Sequence, residues 1–192
     1  MNPTLVIGAS SFGKLLRNLI EDTGQEFAGY IDDFNTGPHV VGRRSDLGHR
    51  FFPQDFDLVM AVGYRHLPAR LQIFAEASAL GFRFPPFVHP RAYVSDKAEI
   101  GAGAMIMAGA NVDAFAKVEQ LAVLWPGAIV SHDSVIGENS FLSPGATVCG
   151  FVTVGGSTFM GAGSVVVDGV QVPSGSFIKA GTRYDRKTQV EP

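Results

Sequence analysis

The sequence predicts a chain of the α/β + β class, in which a small α/β domain is followed by a parallel β-helix. Two observations predict this arrangement: an unbroken six-residue periodicity after residue 87, and a strand, a glycine-containing turn and a helix at the start of the chain. Pro85 and Pro86 form a stiff connection between the two patterns. The predicted boundaries are residues 1–85 for the first domain, 86–183 for the β-helix and 184–192 for a tail.

The six-residue periodicity places an aliphatic residue or methionine at every sixth position, without insertion or skip. These positions are Val88, Val94, Ile100, Ile106, Val112, Val118, Leu124, Val130, Ile136, Leu142, Val148, Val154, Met160, Val166, Val172 and Ile178. A small or β-branched residue follows each of them by four positions. Such repeats indicate a parallel β-helix in which three short faces make one coil of about 18 residues. A β-sandwich with glycine-rich turns would not keep this period, so the β-helix is favoured. At about 18 residues per coil, the repeat segment holds about five coils.

The first domain begins with an apolar, partly β-branched strand at Thr4–Ile7, followed by a turn between Gly8 and Gly13. Residues 14–21 then carry apolar side chains at helical spacing. A second strand is predicted at Phe27–Ile31, a third at residues 57–62 and a second helix at 68–80. Strand, glycine turn and helix are the opening of a Rossmann-like βαβ domain that binds a nucleotide.

A carboxylate pair supports the nucleotide interpretation. Asp32 and Asp33 end the second strand about 20 residues past the glycine turn, where a carboxylate can bind a ribose hydroxyl. Ser10 replaces the middle glycine of the dinucleotide fingerprint, and the domain is about half the usual length, so one nucleoside diphosphate is favoured over NAD. The alternative is that the two glycines only permit close packing and Asp33 caps a turn.

Composition excludes several classes of protein. A net charge of −3 argues against a general nucleic-acid surface. The sequence contains no run of 18 apolar residues, so no membrane-spanning helix is predicted. The first residues lack the basic region of a signal peptide. We therefore expect a cytoplasmic protein without nucleic-acid or membrane partners. Cys149 is the only cysteine, which rules out an internal disulfide, and we expect it to be an inert wall residue.

His132 and Asp133 are two adjacent ionisable residues in a repeat that consists mainly of aliphatic and small residues. They fall between Val130 and Ser134, at an outward-facing corner of the predicted coil. A histidine suits proton transfer at neutral pH, and a neighbouring carboxylate can orient the imidazole and raise its basicity. Ala114 and Gly150 would stack at the same corner and leave room for a substrate. The alternative is a surface histidine at a turn. His89 is the only other histidine of the repeat, so no metal site is predicted.

Basic residues collect near the C-terminus: Lys179, Arg183, Arg186 and Lys187. A solvated tail is the simplest interpretation of them. A second interpretation is that some of them face an anionic ligand such as the phosphates of coenzyme A.

Four segments resemble the bacterial sugar O- and N-acyltransferases of the NeuD/PglD type, within the left-handed β-helix hexapeptide transferases. They are residues 6–13 (VIGASSFG), 30–34 (YIDDF), 61–63 (AVG) and 131–138 (SHDSVIGE), the last being the most specific. The sequence departs from the family pattern at Ser11 and Phe12, where Gly-His is usual. It also departs at Phe141, where some members have a second histidine, and at Asp133, where relatives can have Glu.

The resemblance implies a homotrimer with active sites in the clefts between neighbouring β-helices. It implies acetyl-CoA as the acyl donor and a nucleotide-linked sugar as the acceptor, with His132 as the general base and Asp133 as its partner. The residues implied to bind the nucleotide sugar are Ser10, Ser11, Phe12, Asp32, Asp33 and Gly63. Those implied to bind coenzyme A are Phe141, Ala162, Ala180 and Gly181.

The function predicted in this way is direct N-acetylation of a nucleotide-linked 4-amino-4,6-dideoxy sugar in surface glycan biosynthesis. Two alternatives stay open. One is O-acetylation of a sialic-acid-like sugar, and the other is a non-catalytic scaffold that binds a nucleotide sugar.

Overall fold

The computed structural model of the chain describes residues 2–185, which divide into two compact units at the Pro85–Pro86 junction. The first unit is a small parallel sheet with helices, and the second is a left-handed parallel β-helix, so the predicted α/β + β class is confirmed. Arg186 and Lys187, which belong to the predicted tail, lie outside the described residues. Neither helix of the described chain, at 12 and 13 residues, meets the length and hydropathy needed to cross a membrane.

The first unit is a four-stranded parallel sheet in the order β3-β2-β1-β4. Its elements are β1 (Thr4–Ile7), α1 (Ser11–Asp22), β2 (Phe27–Ile31), β3 (Val40–Gly42), β4 (Asp57–Met60) and α2 (Leu67–Ala79), with 3₁₀ turns at Arg44–Asp46 and Tyr64–His66. All residues of β1 and β4 are buried, as expected for parallel strands covered on both faces. The edge strand β3 was not predicted, because three residues are too few to show an alternating pattern.

Strand β1 lies between β2 and β4, so the strand order changes direction at β1. The chain leaves β1 through α1 to reach β2 on one side, and it later places β4 on the other side. In open α/β sheets, ligands bind beyond the carboxyl ends of the strands at such a switch point. The crevice of this unit is therefore expected at the ends of β1 and β4.

Gly13 allows α1 to pack closely on the turn that follows β1. A Cβ atom at Gly13 would lie 2.0 Å from the carbonyl oxygen of Gly8. Gly8 itself has φ of +109°, a backbone conformation that other residues rarely adopt. Close packing is therefore one established role of this glycine pair.

Within residues 86–185, the second unit has 17 two-residue strands in three parallel sheets, which form the three faces of the β-helix. Face 1 contains β5 (Phe87–Val88), β8 (Met105–Ile106), β11 (Val123–Leu124), β14 (Phe141–Leu142), β17 (Phe159–Met160) and β20 (Phe177–Ile178). Face 2 contains β6 (Tyr93–Val94), β9 (Asn111–Val112), β12 (Ile129–Val130), β15 (Thr147–Val148), β18 (Val165–Val166) and β21 (Arg183–Tyr184). Face 3 contains β7 (Glu99–Ile100), β10 (Lys117–Val118), β13 (Val135–Ile136), β16 (Thr153–Val154) and β19 (Gln171–Val172).

The second residue of the strands faces the core, as the repeat predicts, except in β5. There Val88 is 38% exposed and Phe87 is buried instead, because β5 lies at the open end of its face and pairs with β8 alone. From Ile106 to Ile178 these side chains are buried, and small residues such as Ala122 and Ala128 pack among them. Val94 and Ile100 are only partly buried, because their coil has a neighbouring coil on one side only. Strands pair with a register of 18 residues, for example Val130 with Val148, so equivalent positions of successive coils stack.

Corners of the β-helix use left-handed backbone conformations. The corner between faces 1 and 2, here called the glycine corner, has Gly109, Gly127, Gly145, Gly163 and Gly181 at this position. The corner between faces 2 and 3, here called the histidine corner, has Phe115, Asp133, Phe151 and Gly169, with φ of 56–67°. A left-handed conformation costs a residue other than glycine about 1–2 kcal/mol. The histidine corner therefore has side chains at positions where glycine would have a lower backbone conformational energy.

Candidate active site

His132 and Asp133 lie together at the histidine corner, immediately after β12. The imidazole Nδ1 and the Asp133 Oδ2 are 3.0 Å apart, and the two side chains are 49% and 42% exposed. Aspartate tolerates the left-handed conformation better than most residues, which allows a carboxylate at this position. A carboxylate at Nδ1 favours the tautomer with its proton there, so Nε2 is left as a proton acceptor facing outward.

Gly150 leaves the space beside the imidazole open. It occupies the same corner position one coil later, as the 18-residue spacing predicts. A Cβ atom at Gly150 would lie 3.0 Å from Cε1 and 3.1 Å from Nε2 of His132. Contacts of 3.0–3.1 Å are tighter than van der Waals distance, so a larger residue would push the imidazole. Glycine therefore keeps the Nε2 side of His132 accessible.

Two further residues of the histidine corner were missed in the sequence. Asp168, one coil beyond Gly150, accepts a hydrogen bond of 2.9 Å from the Gly150 N–H through its Oδ1. The Phe151 ring lies edge-on to the His132 ring, with centroids 5.1 Å apart. The length of one coil could have identified both residues in the sequence, since Asp168 follows Gly150 by 18 residues and Phe151 follows Asp133 by 18 residues.

Cys149 is adjacent to this corner but is not activated as a nucleophile. Burial raises the pKa of its thiol, and the negative charge of Asp168 raises that pKa further. A thiol rather than a thiolate is therefore present at neutral pH, and the thiol is the weaker nucleophile.

The residues predicted to bind coenzyme A lie elsewhere in the same chain. Ala162, Ala180 and Gly181 are exposed at the glycine corner, where the Gly181 N–H donates to the Ala162 carbonyl at 2.9 Å. Phe141 is on face 1, only 3% exposed, with its ring centroid 6.1 Å from that of Trp125. Within one chain, none of the four lies beside His132, and their roles stay predictions.

A cavity of about 540 Å³ opens in the first unit at the carboxyl ends of β1 and β4. Four of the predicted residues line it, namely Ser10, Asp32, Asp33 and Gly63. Ser11 and Phe12 are not among its lining residues and form the first turn of α1. The cavity is also lined by Phe34, Arg44, His66 and Gln72, which were not predicted. They come from three different loops and helices, and no single sequence pattern connects them.

Asp32 ties together the two loops that border the cavity. Its carboxylate accepts hydrogen bonds from the backbone N–H groups of Ala9, Phe34 and Asn35 and from the Asn35 side chain, at 2.7–3.0 Å. Four hydrogen bonds use the full accepting capacity of a carboxylate. Burial raises the pKa of Asp32, but the hydrogen bonds outweigh it and hold the pKa below its usual value. Its predicted contact with a nucleotide stays a prediction.

Asp33 forms an ion pair with Arg44 at the mouth of the same cavity. The Arg44 backbone N–H donates to Oδ1 at 2.9 Å, and its Nε donates to Oδ2 at 2.5 Å. Burial raises the pKa of Asp33, but the hydrogen bonds and charge of Arg44 lower it by more. Phe34 follows with its side chain 91% exposed. The lining of the cavity therefore includes both a cation and an aromatic ring.

Asp32→Asn is expected to destabilise the first unit at neutral pH by about 1–3 kcal/mol, because the amide leaves a buried N–H without an acceptor. The folded-state pKa of Asp32 lies below the unfolded value of about 3.9. The stabilisation by the Asp32 carboxylate is therefore fully present above the unfolded-state pKa, and it is lost as the pH falls through the folded-state pKa. The difference between wild type and variant should therefore shrink as the pH falls through the folded-state pKa.

Urea unfolding followed by far-UV circular dichroism checks this expectation, since both α-helices of the described chain belong to the first unit. Asp55→Asn is the matched control, because Asp55 is exposed and its carboxylate makes no hydrogen bond within residues 2–185. An equal loss of stability at neutral and acidic pH would contradict the role given to the carboxylate charge.

Among residues 2–185, no three His, Cys, Asp or Glu side chains are grouped so that they could hold a metal ion.

Residues 4–76 match the family model described as the PglD N-terminal domain. The acetyltransferase domain of PglB from Neisseria gonorrhoeae FA1090 is 32% identical, with a TM-score of 0.87 over 94% of this chain and 90% of that chain. The same domain in complex with acetyl coenzyme A gives the same identity and TM-score over 96% and 93%. PerB from Caulobacter crescentus, in complex with CoA and GDP-perosamine, is 28% identical, with a TM-score of 0.86 over 94% and 87%.

These similarities include both units of the fold. The family model matches the first unit, and the PglB domain matches nearly the whole of this chain at more than 30% identity. The chain therefore belongs to the NeuD/PglD-type family of sugar acyltransferases.

Proposed function

We propose that this chain transfers the acetyl group of acetyl-CoA to the amino group of a nucleotide-linked 4-amino sugar. The observation that carries the proposal is the His132–Asp133 pair, exposed at a corner with its Nε2 side open. Relatives with the same two units were solved with acetyl coenzyme A and with CoA and GDP-perosamine. The reaction is proposed as a cytoplasmic step of surface glycan synthesis.

The proposed mechanism is a direct transfer without an acyl-enzyme. The amine nitrogen attacks the thioester carbon, a C–N bond forms, and the proton released from nitrogen passes to His132 Nε2. The C–S bond then breaks, and the thiolate of coenzyme A takes a proton from the imidazolium. Asp133 stabilises the imidazolium charge in between. A backbone N–H group in the cleft would stabilise the oxyanion.

The cavity of the first unit is the proposed site for the nucleotide. Ser11 and Phe12 form the first turn of α1, and a helix N-terminus attracts an anion such as a diphosphate. Phe34 can stack on the base, and Asp33 and Arg44 offer polar contacts at its edge. Ser10 and Gly63 allow the ligand to approach the backbone. Asp32 is assigned to holding the loops in place.

A homotrimer is part of the proposal. Within one chain, the catalytic pair lies at the histidine corner of the β-helix. The residues predicted to bind coenzyme A at the glycine corner lie along a different edge. Both sets can contribute to a single site only when a second copy of the chain supplies one of the edges. Closed assemblies with a rotation axis are the usual form for such copies.

The test is to incubate the chain with acetyl-CoA and a panel of GDP-, UDP-, dTDP- and CMP-linked amino sugars. Thiol release should accompany a mass gain of one acetyl group on one acceptor. The matched 4-hydroxy sugars test the O-acetyltransferase alternative. Calorimetry with coenzyme A tests the scaffold alternative, because a scaffold should bind the nucleotide sugar and no coenzyme A. The absence of acetylated product with every acceptor would refute the proposal.

A further inference from the structure

Asp168 places a second carboxylate on the open side of His132. The position where a Gly150 Cβ would stand is 3.1 Å from His132 Nε2 and 3.6 Å from Asp168 Oδ1. The imidazole nitrogen and the carboxylate therefore face the same small space above Gly150. Within residues 2–185, Asp168 makes no hydrogen bond other than the one from the Gly150 N–H. Its second carboxylate oxygen is available as an acceptor.

Phe151 places an aromatic ring beside His132 at a cost in backbone energy. Its φ is 56° and its side chain is 64% exposed. Core packing does not explain an exposed phenylalanine in this conformation, and Gly169 occupies the same position one coil later. Strained residues that packing does not explain are concentrated at functional sites. Phe115 shares this conformation, but Phe151 is the one whose ring lies against that of His132, at 5.1 Å between centroids, so Phe151 is the candidate for contact with a ligand at the imidazole.

We propose that Asp168 and Phe151 are specificity-determining residues that make the histidine corner select an ammonium group over a hydroxyl. This inference rests on the proposed function and adds to it the residues that distinguish the two acceptor classes. A carboxylate attracts a cation, and an aromatic face attracts it as well. A neutral hydroxyl gains much less from either group. Asp133 does not take this role, since its carboxylate is bonded to Nδ1 on the other side of the ring.

The proton balance allows the acceptor to arrive as a cation. The bound ammonium loses one proton to water before attack, and the second proton passes to His132 Nε2 as the C–N bond forms. The imidazolium returns its proton to the leaving thiolate. Each turnover with an ammonium acceptor therefore releases one proton to solvent. Asp168 acts in this scheme through binding, so its effect is expected in KM.

The test compares Asp168→Asn with wild type, using the amino sugar that the chain acetylates as substrate and its 4-hydroxy congener as inhibitor. The KM for the amine should rise roughly 3- to 10-fold, while kcat and the inhibition constant of the hydroxy congener change little. Phe151→Gly should give a similar rise in KM without lowering the thermal midpoint, because glycine relieves the left-handed conformation. KM does not depend on the fraction of active enzyme, so partial misfolding leaves the comparison intact.

Matched controls lie on the other side of His132 at the same corner. Asp96 is as many residues before His132 as Asp168 is after it, and Ala114 stands between them. Phe115 has the same left-handed conformation one coil before Asp133, with the Lys97 Nζ 5.3 Å from its ring centroid. Asp96→Asn and Phe115→Gly should leave the KM for the amine unchanged.

Two results would overturn the inference while the proposed function stands. The first is an equal change of KM for the amine and of the inhibition constant of the hydroxy congener in Asp168→Asn. The second is tighter binding of acetyl-CoA with an unchanged amine KM, which would mean that Asp168 only competes for the Gly150 N–H. If wild type acetylates no amino sugar, the proposed function itself is refuted.

Discussion

His132→Ala is expected to lower kcat by about 10²–10⁴-fold, the range typical of a lost general base. The variant keeps the carboxylates of Asp133 and Asp168 and the open space above Gly150, but it lacks the imidazole that is proposed to take the proton from the attacking amine. The fold should be preserved, because the side chain is 49% exposed, and the interactions it loses are those with the exposed Asp133 carboxylate and the edge-on Phe151 ring. Steady-state kinetics on the amino sugar identified as substrate measures the effect.

The control for this variant is His89→Ala, which removes another histidine of the β-helix. His89 Nδ1 accepts a hydrogen bond of 3.0 Å from the Arg91 N–H and so has a local role in a turn. Its replacement should leave kcat within a few-fold of wild type. A His132→Ala chain that elutes as the wild-type assembly and turns over at a near-normal rate would remove the base from the mechanism.

Gly13→Ala is expected to destabilise the first unit by about 3–5 kcal/mol, at the upper end of single substitutions. The added Cβ would lie 2.0 Å from the Gly8 carbonyl oxygen, which belongs to the backbone and has no rotamer to escape into. Helix α1 must therefore move away from the end of β1, and the buried contacts of Leu16 and Ile20 are lost with it. Nucleotide binding at the same turn should weaken as well.

Two optical signals separate the units in this experiment. Helix ellipticity follows the first unit, while Trp125, the only tryptophan of the chain, follows the β-helix. The Gly13→Ala transition seen by ellipticity should shift to lower urea, and the Trp125 transition should stay in place. Gly37→Ala is the matched control, since a Cβ at Gly37 meets no atom within 4 Å. Unchanged ellipticity midpoints for Gly13→Ala would show that α1 adjusts freely.

Most of the fold was predictable because each half of the chain has a strong local pattern. The inward positions of the β-helix follow from counting by six, and the structure confirms them from Ile106 to Ile178. In the first unit, the strands Thr4–Ile7 and Phe27–Ile31 were predicted with their observed bounds. The third strand ends at Met60 rather than at residue 62, because the chain turns toward Gly63 to border the cavity.

The candidate site was predictable only where a motif is contiguous in the sequence. His132 and Asp133 are neighbours in the chain, and their contact was therefore visible. Asp168 and Phe151 reach His132 through stacking of coils, so their contribution depends on distance along the prism rather than on a motif. Arg44 and His66 enter the cavity from separate loops, and their meeting depends on the sheet order β3-β2-β1-β4.

The 18-residue register also restricts how this chain can change in length. Each face accounts for six residues, so an insertion of six between Phe115 and His132 would move the imidazole to another corner of the β-helix. It would also separate Phe115 from Asp133 at the corner that they now share. Only the gain or loss of a full coil of 18 residues leaves every downstream residue on the same face or corner of the β-helix. Variation in length among relatives is therefore expected in whole-coil units or in the loops of the first unit, where no such periodicity applies.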